Sequence, residues 1–237
     1  MNTSAAKILS KVILSDRKIN IKLLGDSITH GVGGTGFTQN GEPIAQGFKR
    51  NPDGYCWAKK FKEHMEECYD CTVTNNACTG TKIEFIIDNF NTLISPEDDI
   101  IICTIGTNNR HQPKSESPMH TKREHMEIFY SNILKLDRMF KASGKDVIIM
   151  ANIPASSANE NMISEDWVRL FHMNDVNDLY RKASFECGFT FVSLYSLFAE
   201  YCRNNNITVD SLLCDGLHPS DRGYDVMYDL IMKEFGF

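Results

Sequence analysis

Five short runs of aliphatic and β-branched residues constrain the fold of this chain more than any other feature. They are Asn20–Leu24, Thr72–Asn75, Ile100–Ile105, Asp146–Ala151 and Thr190–Leu194. None keeps the period-two alternation of a strand with one wet face, so each reads as a strand covered on both sides. Helical stripes lie between them: Trp57, Phe61, Met65 and Cys68; then Phe129, Ile133, Leu136 and Phe140; then Met227, Leu230, Ile231 and Phe235. Ser220 or Asp221 is placed to cap the last of these helices. Strands alternating with helices specify an α/β fold, a doubly wound parallel sheet with right-handed crossovers. With no linker, repeat or low-complexity tract in 237 residues, one domain over residues 1–237 is expected.

Three connections are long and rich in breakers: His30–Gly54, Asn109–Lys122 and Ile153–Glu165. Each follows a strand, so all three should emerge at the carboxyl edge of the sheet, where such folds bind ligands. Loops of that length in a compact domain usually serve function.

Bulk chemistry narrows the partners. A net charge of −6 supplies no basic face, so no nucleic-acid partner is expected. Lys7, Lys11, Asp16, Arg17 and Lys18 interrupt the first apolar stretch, and no run is long enough to span a bilayer. A cytoplasmic protein without stable membrane insertion is the expectation. The eight cysteines agree with it, since Cys103 falls in an apolar strand and Cys56, Cys187 and Cys202 in helical patterns. Cys68-Tyr-Asp-Cys71 has no second pair to complete a zinc site, and it closes a helix rather than opening one. Reduced structural thiols are the reading. Oligomeric state has no sequence signature here.

The first strand runs into Gly25-Asp26-Ser27-Ile28-Thr29, which exposes a serine at the carboxyl edge. By average residue usage, such a motif arises by chance in roughly a few chains per thousand. The far end of the chain holds Asp215-Gly216-Leu217-His218-Pro219. A neutral histidine is a good general base, and it needs a carboxylate to fix its tautomer and steady the imidazolium. Asp215 can fold back to His218 across the turn made by Gly216. Together Ser27, His218 and Asp215 make the candidate catalytic triad. Two further strand ends offer donors for an oxyanion: the N–H of Gly80, closing Asn75–Gly80, and the side-chain amide of Asn108 in Gly106-Thr107-Asn108-Asn109.

Ser27, Gly80, Asn108 and His218 resemble the four residues that name the SGNH hydrolases, and Gly25-Asp26-Ser27 resembles their GDSL block. The blocks run from residue 25 to residue 219 in family order, so the likeness covers essentially the whole chain. It implies the SGNH hydrolase fold: a three-layer α/β/α sandwich whose flavodoxin-like, doubly wound sheet has about five parallel strands. It implies an oxyanion hole formed by the N–H groups of Ser27 and Gly80 with the Asn108 amide, and acyl transfer through a covalent ester on Ser27, with no cofactor and no metal. One departure stands out. The third block usually reads G-x-N-D, and here Asn109 replaces the acid, which puts the local hydrogen bonding in question.

Rival motifs fail on context. Gly31-Val-Gly33-Gly-Thr-Gly36 fits G-x-G-x-x-G but starts several residues past the strand and enters no helix; a P-loop fails because Phe37 stands where lysine is required. The G-x-S-x-G elbow fails at Thr29. His111, His120 and His125 have no metal-ligand spacing, and Lys49 and Arg50 read as surface charge. Asp26, Arg110 and His111 are the candidate substrate contacts.

The expectation is an ester hydrolase for a small-molecule ester, removing a short acyl or acetyl group from a sugar-like alcohol. Lysophospholipase, thioesterase and acyltransferase activities would use the same residues. A non-catalytic binding module on this scaffold would not need the full triad. A flavin- or nucleotide-binding protein of flavodoxin-like fold would leave Asp215 and His218 without a role.

Overall fold

The computed structural model describes residues 2–38 and 54–237, together with the backbone of the short strands at 43–45 and 48–49. Lys49 and Arg50 lie outside the residues whose side chains are described. The strands are β1 (Ile19–Gly25), β2 (Pro43–Ala45), β3 (Phe48–Lys49), β4 (Cys71–Asn75), β5 (Ile100–Thr104), β6 (His111–Pro113), β7 (Asp146–Ala151), β8 (Trp167–Arg169) and β9 (Thr190–Ser193). The helices are α1 (Thr3–Leu9), α2 (Lys11–Leu14), α3 (Ser27–His30), α4 (Trp57–Cys68), α5 (Ile83–Asp88), α6 (Phe90–Leu93), α7 (Lys122–Ser143), α8 (Ser157–Glu160), α9 (Met173–Cys187), α10 (Leu194–Asn204) and α11 (Asp221–Phe235).

Five strands form a parallel sheet in the order β4-β1-β5-β7-β9. Each matches one of the five runs expected to be a strand to within a residue at either end, β5 and β9 stopping one residue short of Ile105 and Leu194. Both faces of the sheet are covered. On one side Ile21, Leu23, Ile100, Ile102, Ile148 and Met150 pack against α1, α4, α10 and α11, through side chains such as Leu9, Phe61, Phe198 and Met227. On the other side Leu24, Ile101, Cys103 and Ile149 meet α5, α7 and α9, through Ile86, Phe129, Phe140 and Tyr180. Neighbouring residues of β5 thus serve opposite cores, which is why its sequence has no polar alternation. Burying each of these large side chains contributes about 1.5–3 kcal/mol.

The expected helical stripes are the buried faces of α4, α7 and α11, with Ser220 as the N-cap of α11: its hydroxyl accepts from the Gly223 N–H. Cys68 is the exception. It lies exposed at the end of α4, while Cys71 is buried, and both are free thiols. Two of the long connections are less irregular than expected. β6, from the 109–122 segment, pairs antiparallel with β8, just beyond the 153–165 segment, which itself contains α8. No helix among the described residues is long and apolar enough to cross a membrane.

Numbered among themselves, the five central strands run 2-1-3-4-5, and the chain's direction of winding reverses between β1 and β5. The carboxyl ends of β1 and β5 therefore flank the crevice in which an open α/β sheet holds its ligand.

Candidate active site

Ser27 begins α3 at the end of β1. Gly25 must be glycine: a Cβ there would lie 2.5 Å from Thr29 Oγ1 and 2.8 Å from the Thr104 carbonyl oxygen. Asp26 caps α3, its Oδ1 accepting the Ile28 N–H at 3.1 Å. From the opposite side the Tyr224 hydroxyl, at 3.0 Å from Ile28 O and 2.7 Å from Val32 O, pins the backbone that follows. Ser27 sits at the carboxyl edge as expected, but it is not an exposed serine. Its residue is 4% accessible.

His218 reaches it from 191 residues away. Its Nε2 is 2.8 Å from Ser27 Oγ, and its Nδ1 is 2.7 Å from Asp215 Oδ2. The other oxygen of Asp215 accepts the backbone N–H groups of Leu217 and His218 at 2.9 and 2.7 Å. One carboxylate thus shapes the turn and orients the ring. Partial burial works against the charged carboxylate, but these N–H donors prevail and hold its pKa below the ordinary value. Gly216, at φ +81°, leaves no room for a side chain: a Cβ would meet Ser156 Oγ at 2.6 Å. The Ser156 N–H in turn donates to Gly216 O at 2.8 Å.

Gly80 and Asn108 come together on the other flank. The loop after β4 is tied to the end of β1, with the Cys78 N–H on Gly25 O at 3.0 Å and the Thr81 hydroxyl at 3.2 Å from the same oxygen. Asn108 Nδ2 donates to Thr81 O at 2.8 Å, leaving the amide's second N–H for a ligand. Gly80 is exposed at φ +79°, with open space where a Cβ would stand.

Asn109 answers the question its sequence raised. Its Oδ1 accepts the Ile83 N–H at 2.9 Å, as a carboxylate would, and its Nδ2 donates to Glu84 Oε2 at 2.8 Å, which a carboxylate cannot do. The substitution is matched by Glu84.

Two of the three candidate substrate contacts are braces instead. Asp26 is wholly buried; its Oδ2 accepts from Asn152 Nδ2 at 2.9 Å, and burial pushes its carboxyl up from the ordinary value against the pull of Thr107 and Ile28. Arg110 is 1% exposed and bonds Thr107 O through Nε and Glu160 Oε2 through Nη1, at 2.9 and 2.8 Å. Burial lowers its pKa to about 10. A cap residue and a residue at the end of the 3-10 turn Thr107–Arg110 both face inward, which their sequence positions do not reveal. His111 remains half-buried, its ring 4.8 Å from that of Trp167, and burial lowers its pKa to about 4.

Sequence reasoning missed Asn152 and His30. Asn152, one residue beyond β7, links Asp26 to Thr107 Oγ1, the latter at 2.7 Å. His30 ends α3 with Nδ1 2.8 Å from Thr79 Oγ1, next to Gly80, and burial lowers its pKa to about 4. The signal for Asn152 was available: a polar residue directly at the carboxyl end of an apolar strand. Among the described residues no group of three His, Cys, Asp or Glu side chains is arranged to hold a metal ion.

Solved structures share this shape. An acetylxylan esterase from Geobacillus stearothermophilus superposes with a TM-score of 0.67 at 17% identity, over 93% of this chain and 95% of its own. A lipase/acylhydrolase from Enterococcus faecalis gives 0.62 at 18% identity, over 91% and 94%. At such identities the likeness shows the fold. No curated protein matches the chain. The family is shown by the sequence itself: residues 23–226 match the model of the GDSL-like lipase/acylhydrolase family, so the chain belongs to that family and is an ester hydrolase.

Proposed function

We propose that this enzyme removes a short acyl group, acetyl in the first instance, from an oxygen of a sugar-like alcohol by way of an ester on Ser27. The observation that carries the reading is the continuous series Ser27 Oγ, His218 Nε2, His218 Nδ1, Asp215 Oδ2, with contacts of 2.8 and 2.7 Å. His218 accepts the Ser27 proton as Oγ bonds to the acyl carbon, and the carbonyl electrons move onto its oxygen. That oxyanion takes hydrogen bonds from the N–H groups of Ser27 and Gly80 and from the Asn108 amide. Its collapse expels the alcohol, which leaves with the proton from His218. Water, deprotonated by the same ring, then releases the acid and restores Ser27. Asp215 keeps Nδ1 protonated and stabilises the imidazolium throughout.

A short acyl group suits a serine so closely surrounded, and the acetylxylan esterase of similar fold acts on acetyl esters of a polysaccharide, as its name states. Hydrolysis of 4-nitrophenyl acetate, butyrate and octanoate by wild type and by Ser27→Ala tests the reading. Rates should fall with chain length and vanish in the variant. Equal rates in the two proteins, or a preference for octanoate, would overturn it.

A further inference from the structure

Beside α8 lies a cavity of about 310 Å³, lined by Lys114, Glu160, Ile163, Trp167, Arg169 and His172 among others. Its lining includes neither Ser27 nor His218, but α8, which contributes Glu160 to it, also supports the loop of His218. Ser156, the N-cap of α8, holds Gly216, and Asn159 Cβ would lie 3.5 Å from a Cβ on Gly216. On the other side Arg110, two residues beyond Asn108, bonds the same Glu160.

The charges of this cavity are unevenly matched. Glu160 Oε2 is approached by Arg110 Nη1 at 2.8 Å, Arg169 Nη1 at 3.4 Å and His172 Nδ1 at 3.3 Å, and its Oε1 takes the Met173 N–H at 3.0 Å. Arg110 also feels the buried Asp26. Among the described residues lining the cavity, the cations Lys114 and Arg169 stand beside a single carboxylate, Glu160, a surplus of one positive charge. The surplus falls on Arg169. Its side chain is 8% exposed, and the hydrogen bonds of Nη1 and Nη2 are both long (3.4 Å to Glu160 and 3.4 Å to Asn159 Oδ1), while Nε is sealed from solvent without a partner. A buried guanidinium so poorly satisfied is costly, and an anion reaching its weakly bonded Nη1 and Nη2 groups would offset that cost. Trp167 lies beside it, with the guanidinium carbon 5.1 Å from the ring centroid. A flat ring resting on that indole would set a substituent carboxylate against Arg169.

We propose that this cavity is a subsite for a carboxylate on the alcohol half of the ester, of the kind a uronic acid carries. The inference rests on the esterase reading above and adds a substrate class to it. The alcohol half is indicated because α8 supports the loop of His218, the group that hands its proton to the leaving alcohol. A cavity of this size accommodates one sugar unit.

The test uses two readouts. In the first, D-glucuronate and D-glucose are titrated while tryptophan fluorescence is followed; Trp57 is wholly buried, so Trp167 is the responsive one of the two tryptophans. Glucuronate should bind roughly 10-fold or more tightly than glucose, and Arg169→Gln should abolish the difference. In the second, kcat/KM is compared for an O-acetylated methyl glucuronide and its neutral methyl ester. The acid should be favoured by roughly 10-fold or more, with the ratio falling towards unity in Arg169→Gln and in Lys114→Met. Lys114 is exposed at the rim, so its variant decides the matter if the Arg169 variant does not fold. Equal rates for the two esters, or a ratio untouched by both variants, overturn the subsite while leaving the esterase reading intact. Arg169-dependent binding of glucuronate without cleavage of either ester does the reverse. A charge preference confined to 4-nitrophenyl hemisuccinate over the butyrate would place the carboxylate in the acyl half and overturn the assignment.

Discussion

Asn152 Nδ2 donates to Asp26 Oδ2 at 2.9 Å and to Thr107 Oγ1 at 2.7 Å, so one amide joins the ends of β1, β5 and β7 beneath Ser27. Replacing it by alanine strips a donor from a buried carboxylate. Asn152→Ala should cost about 1–3 kcal/mol in urea unfolding. It should also lower kcat for 4-nitrophenyl acetate more than it raises KM, because the serine turn loosens while the substrate's surroundings remain. An unchanged denaturation midpoint would show that the bond contributes nothing.

Asn108 is held by its bond to Thr81 O with one N–H to spare. Asn108→Ala should reduce kcat about 100- to 1,000-fold. Fluorophosphonate labelling of Ser27 should slow as well, since its reaction also builds negative charge on oxygen. Full activity in the variant would remove the amide from the oxyanion hole.

Asn109→Asp restores the acid usual in the family, and here it should destabilise. The Ile83 N–H would still be accepted, but the donor to Glu84 Oε2 would be lost and a second carboxylate placed against it. Asn132 Nδ2 remains on the other oxygen of Glu84, at 2.8 Å. A loss of about 1–3 kcal/mol at neutral pH, shrinking in acid as the pair takes up a proton, is expected from urea titrations at pH 7 and pH 4.5.

His30 and His111 both have their pKa lowered from 6.5 to about 4 by burial. A histidine with a depressed folded-state pKa binds protons more readily when unfolded. Its contribution to stability is therefore complete above pH 6.5 and declines as pH falls from 6.5 towards 4. His30→Gln should flatten part of that decline, seen as a smaller drop in Tm between pH 7 and pH 5. A parallel drop in wild type and variant would show that His30 does not set the acid limb.

The central sheet was legible because burial on both faces leaves a strong mark: Ile100–Thr104 is apolar at nearly every position, and nothing but a covered strand explains so short a run. The contact of Asp215 with His218 was legible because the two are neighbours in sequence and their turn is local. What lies between β5 and β9 at the carboxyl edge was not. β6 and β8 have three residues each, too few for a periodicity, and Gln112 pairs with Val168 across 56 positions of chain. The inward turn of Asp26 and Arg110 was equally hidden, because charged residues in loops ordinarily face water and these two are held by partners distant in sequence: Asn152 and Glu160.

Ser27 and His218 stand 191 positions apart, and the loop of His218 is held in place as α11 packs beside α1 and α4. A ribosome makes the serine 191 residues before the imidazole proposed to activate it. Domains begin to fold from the N-terminal side during synthesis, so the sheet can gather around a serine that has no base. On the proposed mechanism, therefore, a nascent chain gains no hydrolytic competence until α11 docks, and one cut short before residue 218 is expected to be chemically silent.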